Sequence, residues 1–166
     1  MRCPTFIKWL FIVRSIVGEN MIIVRIREGL GNQMFEYAYA YSLSKRMKRK
    51  QIKVYLDMRN EAVTSFDKER FARPIGIHQF KISLPNATSE SLKNWDYLEN
   101  RTVIHKVKTW LMKHNLFPYK VFKEEEFNFR KEHLLIQDNT YIEGWFQQYR
   151  YFEDICVERF KLCTVT

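Results

Sequence analysis

The chain has 166 residues, of which 46% are hydrophobic. This is enough for one domain with a core and excludes general disorder. The formal net charge of +9 fits an anionic partner such as a nucleotide, a nucleic acid or an acidic lipid surface, and equally a solvated basic surface. Three cysteines without C-x-x-C spacing and four scattered histidines argue against a disulfide framework and a metal site, and favour a reducing compartment.

The N-terminal stretch is apolar but short. Lys8 and Arg14 interrupt the apolar run from Phe6 to Val17, which is too short to span a bilayer and is not followed by a clear signal-peptide cleavage site. Met21 directly precedes the first good strand. We therefore interpret residues 1–20 as an extension ahead of the functional start.

A strand, a glycine turn and a helix follow. Residues 21–26 are rich in β-branched side chains and predict a buried strand. Gly29 and Gly31 predict a sharp turn, and Asn32 is a suitable cap for a helix that extends to about Lys48. Such an arrangement directs backbone N–H groups and the positive end of the helix at one spot, which suits a phosphate or another anion.

The next strand is predicted from Ile52 to Met58, so the chain forms a β-α-β unit, which favours parallel pairing. Asp57 ends this strand, where an acidic residue holds a ribose hydroxyl in dinucleotide-binding folds. Met34, however, occupies the third glycine position of G-x-G-x-x-G. This weakens the dinucleotide interpretation, and Asp57 is as well explained as a turn residue.

Two amphipathic segments are predicted as helices, Thr88–Glu99 with Thr88 or Ser89 as its cap and Arg101–His114. Their basic and aromatic residues fit contact with an acceptor or a membrane surface, although core packing explains them better. The acidic run Glu124–Glu126 predicts a solvated face.

A second strand–glycine–helix unit is predicted near the end of the chain. Asn139–Gly144 fits a strand that ends at a glycine, and Gln148–Phe160 fits a helix. No linker or repeat divides the chain, so we expect a single α/β domain in these residues.

Two stretches together resemble glycosyltransferase family 11, the α-1,2-fucosyltransferases. The sequence R-E-G-L-G-N-Q-M-F-E-Y-A-Y-A at 27–40 resembles the family's G-G-L-G-N-Q-M-F-Q-Y-A start. The sequence Y-I-E-G-W-F-Q-Q-Y-R-Y-F-E-D-I at 141–155 resembles its L-E-G-Y-x-Q-S-x-K-Y-F segment. The resemblance covers about residues 21–160.

The resemblance implies a GT-B-like fold with a Rossmann-type N-terminal domain. It implies an enzyme that moves L-fucose from GDP-L-fucose to the 2-hydroxyl of a galactoside, with inversion and without a cofactor or metal. The expected partners are GDP-fucose and a galactose-containing glycan, without nucleic acid. The expected location is cytoplasmic, with peripheral membrane contact as an option.

The substrate-binding residues that the resemblance implies are Gly29, Gly31, Asn32 and Gln33, with Trp145 and Gln147 as a second region. Amides can form hydrogen bonds with sugar hydroxyls, and an indole can stack on a sugar face. The catalytic residue is not assigned.

The chain departs from the family pattern in three places. Glu28 stands where the family usually has glycine, and Glu36 where it has glutamine. The H-x-R-R-x-D motif that holds the GDP diphosphate in the family is absent from these 166 residues. We therefore expect residues 21–160 to be the N-terminal domain of a truncated, weakly active or inactive enzyme whose donor domain is largely missing, with residues 161–166 as a non-matching tail.

The alternative is a non-catalytic basic α/β module that binds nucleotides or nucleic acid. The net charge of +9 permits it, but the chain lacks the aromatic-basic motifs of recognised RNA-binding modules.

Overall fold

The computed structural model describes residues 20–48, 52–59, 74–93, 119–124 and 126–155, together with Trp95, Val107 and Trp110. The predictions for the N-terminal extension up to residue 19, for the 161–166 tail and for most of the 101–114 helix lie outside these residues.

Within the described residues, four parallel strands form one sheet. They are β1 (Met21–Arg25), β2 (Lys53–Asp57), β3 (Lys120–Lys123) and β4 (Thr140–Glu143), in the spatial order β2-β1-β4-β3. The predicted α/β class and parallel pairing are confirmed. The sequence analysis missed β3, a four-residue strand with a lysine at each end.

Helix α1 (Leu30–Met47) connects β1 to β2 and covers one face of the sheet. Gly29 is its N-cap residue and provides no side-chain cap. The prediction that Asn32 caps this helix was wrong, because α1 begins two residues earlier and Asn32 already lies in its first turn. Lys45 and Arg46 lie in the last turn, where cations complement the helix dipole.

The opposite face of the sheet carries a smaller apolar cluster. Ile23 of β1 and Tyr141 of β4 pack there with the buried side chain of Trp95. The short helix α2 (Ser89–Leu92) adds Leu92, and the Thr88 hydroxyl accepts a hydrogen bond from the Ser91 N–H, which confirms Thr88 as a cap. Among the described helices, none is long and apolar enough to cross a bilayer.

The predicted helix from Gln148 is wrong within the described residues. A 3-10 turn (Tyr149–Tyr151) and further turns occupy the stretch up to Ile155. Arg46 of α1 donates a hydrogen bond to the Tyr151 carbonyl at 2.7 Å. In an α-helix this carbonyl would instead accept a hydrogen bond from the backbone N–H four residues later. The ring of Tyr151 is fully buried, and this tertiary packing outweighs the helical pattern of the sequence.

Candidate functional site

Each of the four described strands ends at a charged residue, and the charges alternate across the sheet as Asp57, Arg25, Glu143 and Lys123. Arg25 Nη1 lies 2.9 Å from Glu143 Oε1, and Lys123 Nζ lies 2.9 Å from Glu143 Oε2. The carboxyl ends of parallel strands are where α/β proteins bind their ligands. This charged row therefore marks the edge of the sheet at which a site is expected.

Asp57 is bound by the protein itself. The Tyr141 hydroxyl donates to its carboxylate at 2.6 Å, and the Arg59 guanidinium donates two hydrogen bonds at 2.9 Å each. Burial alone would raise the pKa of Asp57, but the hydrogen bonds from Arg59 and Tyr141 hold it below its ordinary value. Asp57 is thus a buried strand-end residue with partners of its own, which further weakens the dinucleotide interpretation.

The turn between β1 and α1 is made by Glu28, not by a glycine. Glu28 has φ 64°, whereas no described glycine has a positive φ. Gly29 is extended, with φ −73°, and Gly31 lies inside α1 with open space where a Cβ would be. The prediction that Gly29 and Gly31 provide the sharp turn was therefore wrong. Glu28 thus occupies a left-handed backbone position that glycine would adopt without strain.

Gln33 fastens this turn to a distant segment of the chain. Its Nε2 donates to the carbonyls of Glu28 (2.6 Å) and Pro74 (3.1 Å). Its Oε1 accepts from the N–H groups of Gly76 (2.8 Å) and Ile77 (3.0 Å). The side chain is fully buried, and two donated and two accepted bonds use the whole capacity of an amide. Gln33 therefore acts on the site by holding the turn.

Glu36 also forms a hydrogen bond with the turn between β1 and α1. Its Oε2 accepts a hydrogen bond from the Arg27 N–H at 2.8 Å. Its Oε1 is buried and has no hydrogen-bond partner among the described residues. Burial, which is the largest influence, raises the pKa of Glu36 to about 8. The carboxyl group is thus mostly protonated at neutral pH and resembles a glutamine amide in charge and shape.

The two stretches that carry the family resemblance meet at this turn. Glu28 Oε2 accepts hydrogen bonds from Asn32 Nδ2 (2.7 Å) and from the Trp145 indole N–H (2.9 Å). Gln147 Nε2 donates to Asn32 Oδ1 at 3.0 Å. The structure thus brings three of the predicted contact residues, Asn32, Trp145 and Gln147, into one group. We call Glu28, Asn32, Trp145 and Gln147 the polar wall.

An aromatic surface adjoins the polar wall. The Phe127 ring stacks on the Trp145 ring, with 4.9 Å between centroids, and Phe127 is 55% exposed. The Arg27 guanidinium lies 5.2 Å from the centre of the Trp145 ring, within range of a cation–π contact. Trp145 is therefore held between neighbours, and Phe127 presents the exposed ring. The sequence analysis missed Phe127, although an aromatic residue directly after the acidic run, in E-F-N-F at 126–129, was a usable signal.

Glu124 is a second residue that the sequence analysis misjudged. Its Oε2 accepts hydrogen bonds from the backbone N–H groups of Trp145 (2.7 Å) and Phe146 (2.8 Å). Glu124 is buried, so the predicted solvated face was wrong for this residue, whereas Glu126 is exposed as predicted. The two N–H groups supply the solvation that the buried carboxylate would otherwise lack.

The turn after β4 is tightly packed around Glu124. A Cβ on Gly144 would lie 2.6 Å from the Glu124 Cβ and 2.7 Å from the Phe146 Cζ. Phe146 has φ 46°, and its ring stacks on Tyr39 of α1 at 3.8 Å between centroids. Both turns of the site are thus fastened to α1, which fixes their relative position.

A scan against models of protein families, a search of curated proteins and a search of solved structures found no match to this chain. The family resemblance therefore rests on the residues of the two stretches, 27–40 and 141–155. Within the described part of the chain, no group of three or more His, Cys, Asp and Glu side chains could hold a metal ion.

Proposed function

We propose that residues 21–160 form the Rossmann-type N-terminal domain of a GT-B-like α-1,2-fucosyltransferase, and that the polar wall binds the galactoside acceptor. One observation carries the proposal. Asn32 and Gln147, which lie 115 positions apart and belong to the two resembling stretches, are joined by a hydrogen bond at the carboxyl edge of the sheet. Contact between two separate motifs is expected if both line one site.

The side chains present suit an uncharged sugar. The amides of Asn32 and Gln147 each offer a donor and an acceptor, which a pair of neighbouring hydroxyls requires. The exposed Phe127 ring offers an apolar surface for the C–H face of a pyranose. Gly29 and Gly31 have no side chain to obstruct the approach of a ligand to the start of α1.

In the proposed reaction, the galactose 2-hydroxyl attacks C1 of fucose from the face opposite GDP. The new glycosidic bond forms as the bond to the diphosphate breaks, and the hydroxyl proton leaves to a base. The departing diphosphate gains negative charge, which requires cationic groups such as the arginines of the absent H-x-R-R-x-D motif. We therefore assign acceptor binding to the described residues and leave donor binding and the base unassigned.

Calorimetry with methyl β-galactopyranoside tests the proposal. We expect saturable binding by the native chain. Gln147→Ala should weaken it about fivefold or more, because a typical hydrogen bond contributes about 1 kcal/mol. Gln137→Ala is the matched control, since Gln137 is also an exposed glutamine and lies before β4, at the opposite end of that strand. Absence of galactoside binding, or equal loss in both variants, would refute the proposal. Tighter binding of an oligonucleotide than of the galactoside would favour the basic-module alternative.

A further inference from the structure

The carboxylate of Glu28 lies inside the site and not on the outer surface. Its Oε2 accepts from both the Asn32 amide and the Trp145 indole, and its side chain is 33% exposed. The backbone at Glu28 has φ 64°, which a non-glycine residue rarely adopts. The tertiary contacts of the carboxylate therefore hold it at the start of α1 in spite of the local strain.

Glu28 forms an ion pair at the polar wall: the Arg27 Nε lies 3.8 Å from Glu28 Oε1. Glu124 contributes a second, buried carboxylate behind Trp145. Glu36 is mostly neutral at pH 7, because burial raises its pKa to about 8. The Glu28 carboxylate thus lies in the polar wall with the Arg27 guanidinium as its ion-pair partner.

We propose that Glu28 makes this wall reject anions and restricts it to uncharged hydroxyl groups. This inference rests on the proposed function of the wall and narrows its ligand class. The start of a helix ordinarily favours a phosphate, but a carboxylate there repels the phosphate oxygens. Glu28 also accepts the hydrogen bonds of the Asn32 amide and the Trp145 indole, two donors that could otherwise bind a phosphate. A sugar hydroxyl, by contrast, can donate a hydrogen bond to Glu28 and accept one from Gln147. A diphosphate-bearing donor would then have to be bound by other residues.

Titration of the full chain with two probes, inorganic pyrophosphate and methyl β-galactopyranoside, tests the inference. Glu28→Gln removes the charge and keeps an acceptor for Asn32 and Trp145. Glu90→Gln is the matched control, since Glu90 lies on α2 with an exposed carboxylate that pairs only with Lys93 among the described residues.

We expect pyrophosphate to bind Glu28→Gln about tenfold or more tightly than the native chain, as expected when a like charge is removed from within a few ångströms. Glu90→Gln should leave pyrophosphate binding unchanged. Equal pyrophosphate affinity for the native chain and Glu28→Gln would overturn the inference. The galactoside titration reports separately on the proposed function. If neither the native chain nor either variant binds the galactoside but Glu28→Gln gains affinity for pyrophosphate, the result supports the rejection of anions by Glu28 and refutes the proposed acceptor site.

Discussion

Replacement of Glu36 by glutamine should stabilise the protein in a pH-dependent way. Glu36 is fully buried beneath the β1–α1 turn, and burial raises its pKa to about 8 from an ordinary value of 4.5. Its Oε2 accepts from the Arg27 N–H, which the amide oxygen of glutamine can also do. The substitution therefore keeps the one hydrogen bond and removes the ionisable group.

The sign of the effect follows from proton linkage. Between pH 4.5 and about 8 the folded chain binds more protons at Glu36 than the unfolded chain does, so the native protein loses stability as pH rises through this window. One pKa unit corresponds to about 1.4 kcal/mol, so the loss reaches about 3 kcal/mol by pH 7. Glu36→Gln has no such loss, although its amide N–H₂ near the unpartnered position of Oε1 costs about 1 kcal/mol at every pH.

Urea unfolding followed by circular dichroism at pH 5, 6, 7 and 8 measures the difference. We expect the stability of Glu36→Gln relative to the native chain to grow by about 1.4 kcal/mol for each pH unit, with a smaller increase as the pH approaches 8. Glu90→Gln, which changes an exposed carboxylate, should show no such trend. A difference between Glu36→Gln and the native chain that is constant across pH would refute the argument.

Two further predictions concern the turn after β4. Gly144→Ala should destabilise the protein by about 1–3 kcal/mol, because its Cβ would lie 2.6 Å from the Glu124 Cβ. The control Gly31→Ala should stabilise the protein by up to about 1 kcal/mol, because alanine favours a helix more than glycine does and its Cβ has open space there. Equal effects of the two substitutions on the free energy of unfolding in urea would contradict the packing argument. Glu124→Ala should cost about 3 kcal/mol by leaving one buried and one partly buried N–H group without an acceptor, whereas Glu124→Gln should cost less than about 1 kcal/mol. An equal loss in both Glu124 variants would show that the two N–H hydrogen bonds are not the cause.

Local pattern was sufficient to predict most of the regular structure. The β-branched run at 21–26 and the apolar pattern of 52–58 became β1 and β2, and the intervening periodicity became α1. Parallel pairing followed from the β-α-β order. These features depend on periodicity and connectivity, which a sequence displays directly.

The predictions that were wrong concern residues whose structure is decided by contacts with distant parts of the chain. Glu124 belongs to an acidic run, yet it is buried because its partners are backbone N–H groups more than 20 positions away. The helical pattern after Gln148 gives way because Arg46 binds the Tyr151 carbonyl. The left-handed residue is Glu28, although glycines follow it directly. In each case a tertiary contact outweighs a local preference, and no local pattern reveals that contact.

The proximity of three predicted contact residues was foreseeable only from the resemblance, and their role in binding stays a prediction. Asn32 and Trp145 both donate to Glu28, and Gln147 donates to Asn32. Gln33 was expected to bind substrate, but its amide is wholly used within the protein. Asn32 and Gln33 thus differ in their surroundings, since Asn32 is half-buried within the polar wall and Gln33 is fully buried.

The indole N–H signal of Trp145 in a ¹⁵N-labelled sample tests the acceptor site most directly. This group donates to Glu28 at 2.9 Å within the polar wall, whereas the Trp95 indole donates to the Lys120 carbonyl at 3.1 Å within the core on the other face of the sheet. Titration with methyl β-galactopyranoside should shift the Trp145 signal saturably and leave the Trp95 signal in place, with Trp145→Phe used to assign the peak. No shift at Trp145, or equal shifts at both indoles, would contradict the assignment of the polar wall as the galactoside site.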